Sequence, residues 1–375
     1  MSNRFNQCIK WRRHFHKYPE CSNNEYQTTE TLKDILKAMD ITILDVPLKT
    51  VIVAEIGKGK SMIAIRSDID ALPIREQTTL AFKSRVDGVM HACGHDLHMA
   101  SILGTAMQLK LHETELNGRV RIIFQAAEEV GNGAIEVVET GILRDAKAII
   151  GFHNDPTLKL GEWRAKSGVM TSNVDRFKLI IKAKGAHAAM PQDAKDPSIV
   201  IAQLVQSFQS IVSRNIASYE EAVVTVGQIH CGQTWNVIPD DAFIEGTVRT
   251  FDAEIQNRVE TRMAQICKGI ATQFDVKIDF NYEKVTAAVD NTASLHQTAM
   301  QAAKDAGYHV DELKRPLTIG EDFSGYQRVA PTYFAMIGSN SDYPLHHPKF
   351  DPEEEMLRHV PDYFVKFSYL LLNEQ

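Results

Sequence analysis

The segment 89–98, VMHACGHDLH, is the densest group of metal-ligating side chains in the sequence. Three histidines and one cysteine fall within eight positions there, and borderline-soft divalent metals such as zinc prefer thiolate and imidazole ligands. Cys93 and His95 are too close in sequence to share one face of a helix. As co-ligands they must lie on a strand end or turn, and the apolar pattern from Asp96 predicts a helix directly after them. The alternative is a buried cysteine with hydrogen-bonded histidines at a helix start.

Carboxylates and a further histidine follow three short apolar segments, 62–65, 119–124 and 148–152, which we predict to be strands. The side chains that come after these segments are Asp68, Asp70, Glu128, Glu129 and His153. In an α/β sheet, ligands gather at the carboxyl ends of the strands. Because successive side chains alternate in direction, Glu128 and Glu129 cannot point the same way. One of them can therefore ligate a metal while the other acts as a general base.

Five side chains from distant parts of the sequence form the candidate ligand set: Cys93, His95, Glu129, His153 and His346. His346 lies on a proline-flanked loop, where an exposed polar residue is the alternative, and the adjacent His347 cannot easily reach the same metal. For His153 the alternative is a hydrogen-bonded structural histidine. The set is large enough for two divalent ions that share a ligand, with water completing their shells.

The composition is that of a globular protein with a small-molecule partner. The chain has 375 residues, 44% of them hydrophobic, and a net charge of -7, which suggests about two domains and argues against a nucleic-acid binder. No apolar segment is long enough to cross a bilayer, and the N-terminal residues lack the apolar core of a signal peptide. Five widely spread cysteines indicate reduced thiols rather than a disulfide framework. We expect no membrane association and a cytoplasmic location.

The order of predicted elements indicates two domains. Strands alternating with helices predict an α/β sheet with helices on both faces. Between residues 173 and 283 the order becomes βαββαβ, a split-βαβ unit. We therefore predict a catalytic domain formed by 1–172 and 284–375, with 173–283 inserted as a separate domain.

Three polar residues of the inserted domain could contact a substrate. His187, in a glycine-flanked loop, could donate a hydrogen bond to a developing oxyanion. Asn236 and Arg249 could hold a carboxylate, the arginine by a two-point fork. The alternatives are a surface histidine, a turn amide and a solvated strand charge.

Seven motifs, in their order along the chain, resemble the metal-dependent N-acyl-amino-acid amidohydrolases: MHACGHDLH, GFH at 151–153, GAHAA at 185–189, NVIP at 236–239, GTVRT at 246–250, GEDF at 320–323 and LHHPKF at 345–350. The strand-end pair Glu128 and Glu129 fits the same pattern. This group includes aminoacylases, hippurate hydrolases, plant auxin-conjugate hydrolases and N-acetyldiaminopimelate deacetylases, and it is related to zinc carboxypeptidases and dipeptidases. The resemblance implies a zinc-exopeptidase-like mixed sheet, a ferredoxin-like lid domain and a homodimer formed through that lid.

The resemblance also implies a role for each candidate residue. The five candidate ligands match the family's ligands of two divalent ions, which could be zinc, manganese, cobalt or nickel, and Glu128 matches the catalytic base. His187, Asn236 and Arg249 match lid residues that bind the oxyanion or the substrate carboxylate. Many relatives have His-x-Asp where this chain has Asp68-Ile69-Asp70. Asp70 is then expected to orient a ligand histidine, and the role of Asp68 stays open.

The expected function is hydrolysis of the amide bond of an N-acylated amino acid, N-acetyldiaminopimelate being one possible substrate. Glu128 would remove a proton from water and pass it to the leaving nitrogen. A metallo-dipeptidase or carboxypeptidase on the same scaffold is the rival enzyme. A catalytically silent binding protein and a purely structural zinc site are the alternatives outside catalysis.

Overall fold

Eight α-helices lie within residues 2–373, the part of the chain that the computed structural model describes. They are α1 (Ser2–Lys17), α2 (Tyr26–Ala38), α3 (His95–Leu111), α4 (Gly133–Glu139), α5 (Pro197–Asn215), α6 (Ala253–Phe274), α7 (His296–Asp305) and α8 (Val360–Asn373). Short 3-10 turns precede α7 and α8, at Ala293–Leu295 and Glu354–Arg358.

Sixteen strands lie in the same residues. They are β1 (Thr42–Leu44), β2 (Ile52–Gly57), β3 (Met62–Asp68), β4 (Arg119–Gln125), β5 (Ala148–Asp155), β6 (Glu162–Ala165), β7 (Gly168–Val169), β8 (Asn173–Lys182), β9 (Ala186–His187), β10 (Ala222–Cys231), β11 (Val237–Ile238), β12 (Asp241–Thr250), β13 (Lys277–Thr286), β14 (Asp290–Asn291), β15 (His309–Glu312) and β16 (Thr332–Gly338).

The contacts within the chain define two compact units. The first contains the chain up to Met170, Val289–Arg315 and the chain from Glu321 onwards. The second contains Thr171–Ala288 and the short segment Pro316–Gly320, which is tied to it by a hydrogen bond from the Ser172 N–H to the Ile319 carbonyl.

The first unit is built on an eight-stranded sheet in the order β1-β2-β4-β3-β5-β16-β6-β15. Strands β4, β3, β5 and β16 are parallel to one another. The pairs β1–β2, β2–β4 and β6–β16 are antiparallel, and β15 is parallel to β6. Every residue of β3 and β16 is buried, as expected for strands covered on both faces. The predicted α/β fold with a mixed central sheet is confirmed, and the carboxyl ends of β3, β4 and β5 lie at one edge.

The second unit is a four-stranded antiparallel sheet in the order β10-β12-β8-β13, with α5 and α6 packed against it. The residues of β8 alternate between buried and more exposed, which matches the predicted half-exposed strand. The Asp196 side chain caps α5 by accepting the Ser198 N–H at 2.8 Å, and Pro197 is the first helical residue. This is the predicted ferredoxin-like βαββαβ arrangement.

Among the described helices, none combines the length and the apolar character that a bilayer crossing requires.

Candidate active site

The turn at the start of α3 carries Cys93 and His95. Gly94 lies between them with a φ of +88°, a left-handed conformation that glycine adopts at little cost. A Cβ atom at this position would lie 2.4 Å from Asn154 Nδ2. The Asn154 amide also donates a 2.7 Å hydrogen bond to the Cys93 carbonyl. The turn therefore needs a glycine for its backbone conformation and for its packing.

The five candidate ligands from four separate segments come together around this turn. Cys93 Sγ lies 3.3 Å from His153 Nε2, and Glu129 Oε1 lies 3.5 Å from His346 Nε2 and 4.0 Å from His95 Nε2. Two overlapping triads form, Cys93/His95/His153 and Cys93/Glu129/His346, and within each the ligand atoms lie within 4.8 Å of one another. Cys93 belongs to both triads.

The donor set fits divalent metal ions. His95 Nε2 and Glu129 Oε1 are buried and lack a hydrogen-bond partner among the described residues, a costly situation in a protein interior unless another group satisfies them. Thiolate, imidazole and carboxylate in one cluster suit zinc and its first-row neighbours. Burial, followed by the charge of Glu129, raises the pKa of the Cys93 thiol well above its usual range. A nearby cation is therefore needed if Cys93 is to act as a thiolate.

Two of the histidines are held in the tautomer that a metal ligand requires. His95 Nδ1 donates to the Asp70 carbonyl at 2.8 Å, and His153 Nδ1 donates to the Asn154 carbonyl at 2.7 Å. These bonds leave the Nε2 lone pair of each ring directed at the cluster.

Glu128 and Glu129 have different neighbours, although the alternation expected of a strand does not apply, because β4 ends at Gln125 and the pair lies on the turn that follows. Glu129 groups with Cys93 and His346, whereas Glu128 groups with Glu321 and Asp322 as well as with its neighbour Glu129. Burial, followed by the charges of Glu321 and Asp322, raises the pKa of Glu128 well above its usual range. A carboxyl group with a raised pKa is suited to taking up and releasing a proton at neutral pH.

Asp70 contacts both His95, a candidate ligand, and the loop that carries the glutamate pair. Its Oδ2 accepts the Ser22 hydroxyl at 2.7 Å and the Glu129 N–H at 3.0 Å, and its Oδ1 lies 3.3 Å from His95 Nδ1. These contacts suit the orienting role expected for Asp70.

Asp68, whose role the sequence left open, is buried and bonded on both oxygens. Oδ1 accepts His98 Nδ1–H at 2.6 Å, and Oδ2 accepts from Arg66 at 2.6 Å while lying 3.7 Å from His95 Nε2. His98 Nε2 in turn accepts the Asn154 N–H at 3.0 Å. Both ring nitrogens of His98 are therefore bonded within the protein. The Asp68–His98 pair packs beside the candidate ligand His95.

The sequence analysis did not identify Arg66, a fully buried arginine that pairs with the acidic residues next to Glu128. Arg66 forms ion pairs with Asp68, Asp322 and Glu321 at 2.6, 2.7 and 3.0 Å and donates to Gln125 at 3.0 Å. The available signal was an arginine inside an otherwise apolar strand, together with the acidic pair of the GEDF motif.

In the second unit, His187 on β9 and Asn236, directly before β11, are neighbours. His187 pairs with Val237, and the Ala188 N–H donates to the Asn236 carbonyl at 3.1 Å. Arg249 is the penultimate residue of β12, opposite Val174. Its Nη1 is buried without a hydrogen-bond partner among the described residues, and burial lowers its pKa. The structure therefore places His187 next to Asn236, whereas Arg249 lies away from both, near the end of β12.

Known proteins are similar to this chain over nearly its whole length. Residues 64–367 match the model of peptidase family M20/M25/M40. The chain is 44% identical over 368 residues to the N-acetylcysteine deacetylase of Bacillus subtilis, covering 97% of this chain and 96% of the relative. It is 35% identical over 355 residues to the N-acetyldiaminopimelate deacetylase of Priestia megaterium, covering 93% and 94%.

Solved structures agree with the sequence relatives. The crystal structure of the Bacillus subtilis YXEP protein, described as a dinuclear metal binding peptidase from the M20 family, superposes with a TM-score of 0.88 at 40% identity and 99% coverage of both chains. The resemblance predicted from the motifs and the predicted enzyme class, a metal-dependent amidohydrolase, are confirmed. The chain belongs to peptidase family M20/M25/M40.

Proposed function

We propose that this protein hydrolyses the amide bond of N-acylated amino acids, with N-acetyl amino acids as the main substrates, to give a carboxylate and a free amino acid. The observation that carries the proposal is the position of Glu128. Its carboxyl group adjoins His95 and Glu129 of the candidate ligand cluster, and its pKa is raised by burial and by Glu321 and Asp322. The deacetylase names of the relatives with 44% and 43% identity favour a small acyl group.

Cys93, His95, Glu129, His153 and His346 are proposed to hold two divalent ions. When bound, these ions would lower the pKa of water and polarise the amide carbonyl. Glu128 removes a proton from the attacking water, so that the C–O bond forms at the acyl carbon. Glu128 then delivers this proton to the amide nitrogen as the C–N bond breaks, and it returns to its ionised state. Asp70 keeps the His95 ring and the Glu129 backbone in place throughout.

His187 is proposed to donate to the oxyanion, and Asn236 or Arg249 to bind the substrate carboxylate. The segment that carries His187 lies at the start of β12, because the Gly185 N–H donates at 2.8 Å to Asp240, directly before the first residue of that strand. Arg249 lies near the other end of the same strand. A strand of ten residues spans roughly 30 Å, far more than an N-acyl amino acid. Within one chain, a single substrate cannot contact both His187 and Arg249.

This separation supports a homodimer through the lid domain in which the second chain supplies His187, while Asn236 or Arg249 comes from the chain that carries Glu128. Mixing Glu128→Gln protein with His187→Ala protein tests the arrangement, because a mixed dimer would contain one intact site. Recovery of activity in the mixture, together with a dimer mass by light scattering, is expected. If mixed dimers are verified to form and the mixture still shows no activity, the arrangement is contradicted.

A dipeptidase or carboxypeptidase activity is the second candidate, favoured by the 32% identity to thermostable carboxypeptidase 1 of Saccharolobus solfataricus. Metal-free protein reloaded separately with zinc, manganese, cobalt or nickel should be assayed with N-acetyl amino acids, N-acetyldiaminopimelate and dipeptides. We expect the highest kcat/KM with an N-acetyl amino acid. A higher kcat/KM for dipeptides under every metal would establish the peptidase instead.

A cytoplasmic location is proposed from the state of the thiols. All five cysteines are unpaired, as is usual in a reducing compartment. Recovery of the native protein in the soluble cytoplasmic fraction tests this.

A further inference from the structure

The loop 126–132, which carries Glu128 and Glu129, and the start of α4 directly after it are held by three buried carboxylates from other parts of the chain. Glu25 Oε1 accepts the Ala127 N–H at 3.0 Å, Asp70 Oδ2 accepts the Glu129 N–H at 3.0 Å, and Asp322 Oδ2 accepts the Ala134 N–H at 2.9 Å. Each bond is made to the backbone, so it fixes the path of the loop whatever side chains the loop carries.

Ala127 is the residue at which the loop turns. It has a φ of +59°, a left-handed conformation that is unfavourable for a residue other than glycine. Such a conformation persists only where the surroundings hold it in place. The next residue is Glu128, so the backbone angles at Ala127 determine the direction in which the Glu128 carboxyl group points.

Glu25 is placed to hold this turn. It lies directly before α2 and is fully buried, and its Oε1 accepts the N–H groups of both Asn23 and Ala127, at 2.9 and 3.0 Å. Its Oε2 lacks a hydrogen-bond partner among the described residues. The oxygen that holds the loop acts only as an acceptor, and a neutral carboxyl or amide group would supply the same acceptor.

We propose that Glu25 is a positioning residue for the amide hydrolysis, because its bond to the Ala127 N–H keeps Ala127 left-handed and thereby directs Glu128 towards the reacting water. The inference rests on the proposed function for its link to catalysis. The hydrogen bond from the Ala127 N–H to Glu25, which holds the loop, does not depend on substrate.

Three substitutions separate the acceptor of Glu25 from its charge. Glu25→Gln keeps the length and the acceptor but removes the charge. Glu25→Asp keeps the charge but withdraws the oxygen by about 1.5 Å, beyond hydrogen-bond distance of Ala127. Glu25→Ala removes both. We expect kcat to stay within about threefold of wild type in the glutamine variant and to fall roughly 10- to 100-fold in the other two, with KM little changed, as displacement of a catalytic group predicts.

Glu20 provides the matched control. Its carboxylate also accepts two backbone N–H groups at the start of α2, those of Gln27 and Thr28 at 3.1 and 2.8 Å, but within the described part of the chain it does not bond to the loop that carries Glu128. The substitutions Glu20→Asp and Glu20→Ala should weaken the helix start and leave kcat unchanged.

Amide hydrogen exchange of the 125–134 segment in metal-free protein gives a readout that needs no activity. Wild type and Glu25→Gln should protect this segment equally, whereas Glu25→Asp and Glu25→Ala should exchange faster there. If the alanine variant does not fold, the comparison of the aspartate and glutamine variants decides alone. An aspartate variant with wild-type kcat and wild-type protection, or a glutamine variant as impaired as the aspartate variant, would overturn the proposal.

The two proposals fail in different ways. If wild-type protein hydrolyses no N-acyl amino acid, the proposed function fails, and the exchange experiment still reports whether Glu25 holds the loop. If wild type is active and all Glu25 variants match it, only the positioning role fails.

Discussion

Removal of the buried Arg66 charge should destabilise the first unit strongly. The Arg66 side chain is 0% exposed and contacts three carboxylates, those of Asp68, Asp322 and Glu321, at 3.0 Å or less. Arg66→Met preserves most of the side-chain volume but leaves these carboxylates without their cation. Taking one partner from a buried ion pair costs about 3–5 kcal/mol, and we expect a loss of at least this size.

The control substitution is Arg75→Met. Arg75 also pairs with a carboxylate, that of Asp87 at 2.8 Å, but the two side chains are 74% and 82% exposed. Exposed pairs of this kind contribute about 0–1 kcal/mol. The same chemical change at the two positions therefore isolates the effect of burial.

The assay is the free energy of unfolding from urea titration of the wild type and both variants. We expect the Arg66 variant to recover part of its loss as the pH is lowered, because protonation neutralises the carboxylates that Arg66 no longer compensates. An Arg66→Met protein that loses no more stability than Arg75→Met would refute the view that this arginine neutralises the acidic groups beneath the site.

Three further predictions concern the ligand turn and Glu25. Cys93→Ser should weaken metal binding at least about tenfold, because a soft thiolate is lost; competition with a chelator measures this, and unchanged affinity would exclude Cys93 as a ligand. Gly94→Ala brings a Cβ to 2.4 Å from Asn154 Nδ2 and should reduce both bound metal and melting temperature, whereas Gly88→Ala, also at positive φ but with open space around the Cβ, should carry only the backbone cost. Equal losses in the two alanine variants would argue against crowding. Burial raises the pKa of Glu25 to about 7 from 4.5, so its contribution to stability is fully present below pH 4.5 and is lost as the pH rises towards 7. The free energy of unfolding of wild type relative to Glu25→Gln should fall across this range, and a difference independent of pH would contradict the raised pKa.

Local sequence was sufficient to predict the turn that carries Cys93 and His95 and the presence of the strands before the acidic residues. The strand ends were less accurate, since β5 continues to Asp155 and contains His153. Cys93 and His95 are two residues apart and followed by a helical pattern, so their placement at a helix start follows from local sequence. Apolar segments followed by acidic residues likewise predicted β3 and β4, because buried parallel strands leave a recognisable apolar pattern. The side chains that follow β3 and β4 lie close together because these strands are parallel neighbours, so their carboxyl ends lie at the same edge of the sheet.

The contacts that hold the site together could not be predicted in this way. Arg66 is separated from Asp322 by 256 residues and Glu25 from Ala127 by 102, and no periodicity links such positions. A buried ion pair or a carboxylate bound to a backbone N–H is a tertiary contact, which local pattern does not encode. The left-handed Ala127 is equally hidden, since alanine carries no local signal for positive φ.

Short edge strands were also missed. β6 and β15 have four residues each and pair with one another at the edge of the sheet. Their sequences, EWRA and HVDE, are too short and too charged to show a strand pattern. β6 also pairs with β16, so both short strands join the sheet through partners that are distant in the sequence.

The most direct test of the whole account is the rate of N-acetyl amino acid hydrolysis by Glu128→Gln protein, measured with bound metal and fold matched to wild type. The substitution preserves the shape of the side chain but removes its capacity to take up the proton from water. We expect kcat to fall about 10²- to 10⁴-fold, the usual contribution of a general base, with metal content unchanged. A metal-loaded Glu128→Gln protein that turns over substrate at the wild-type rate would contradict it.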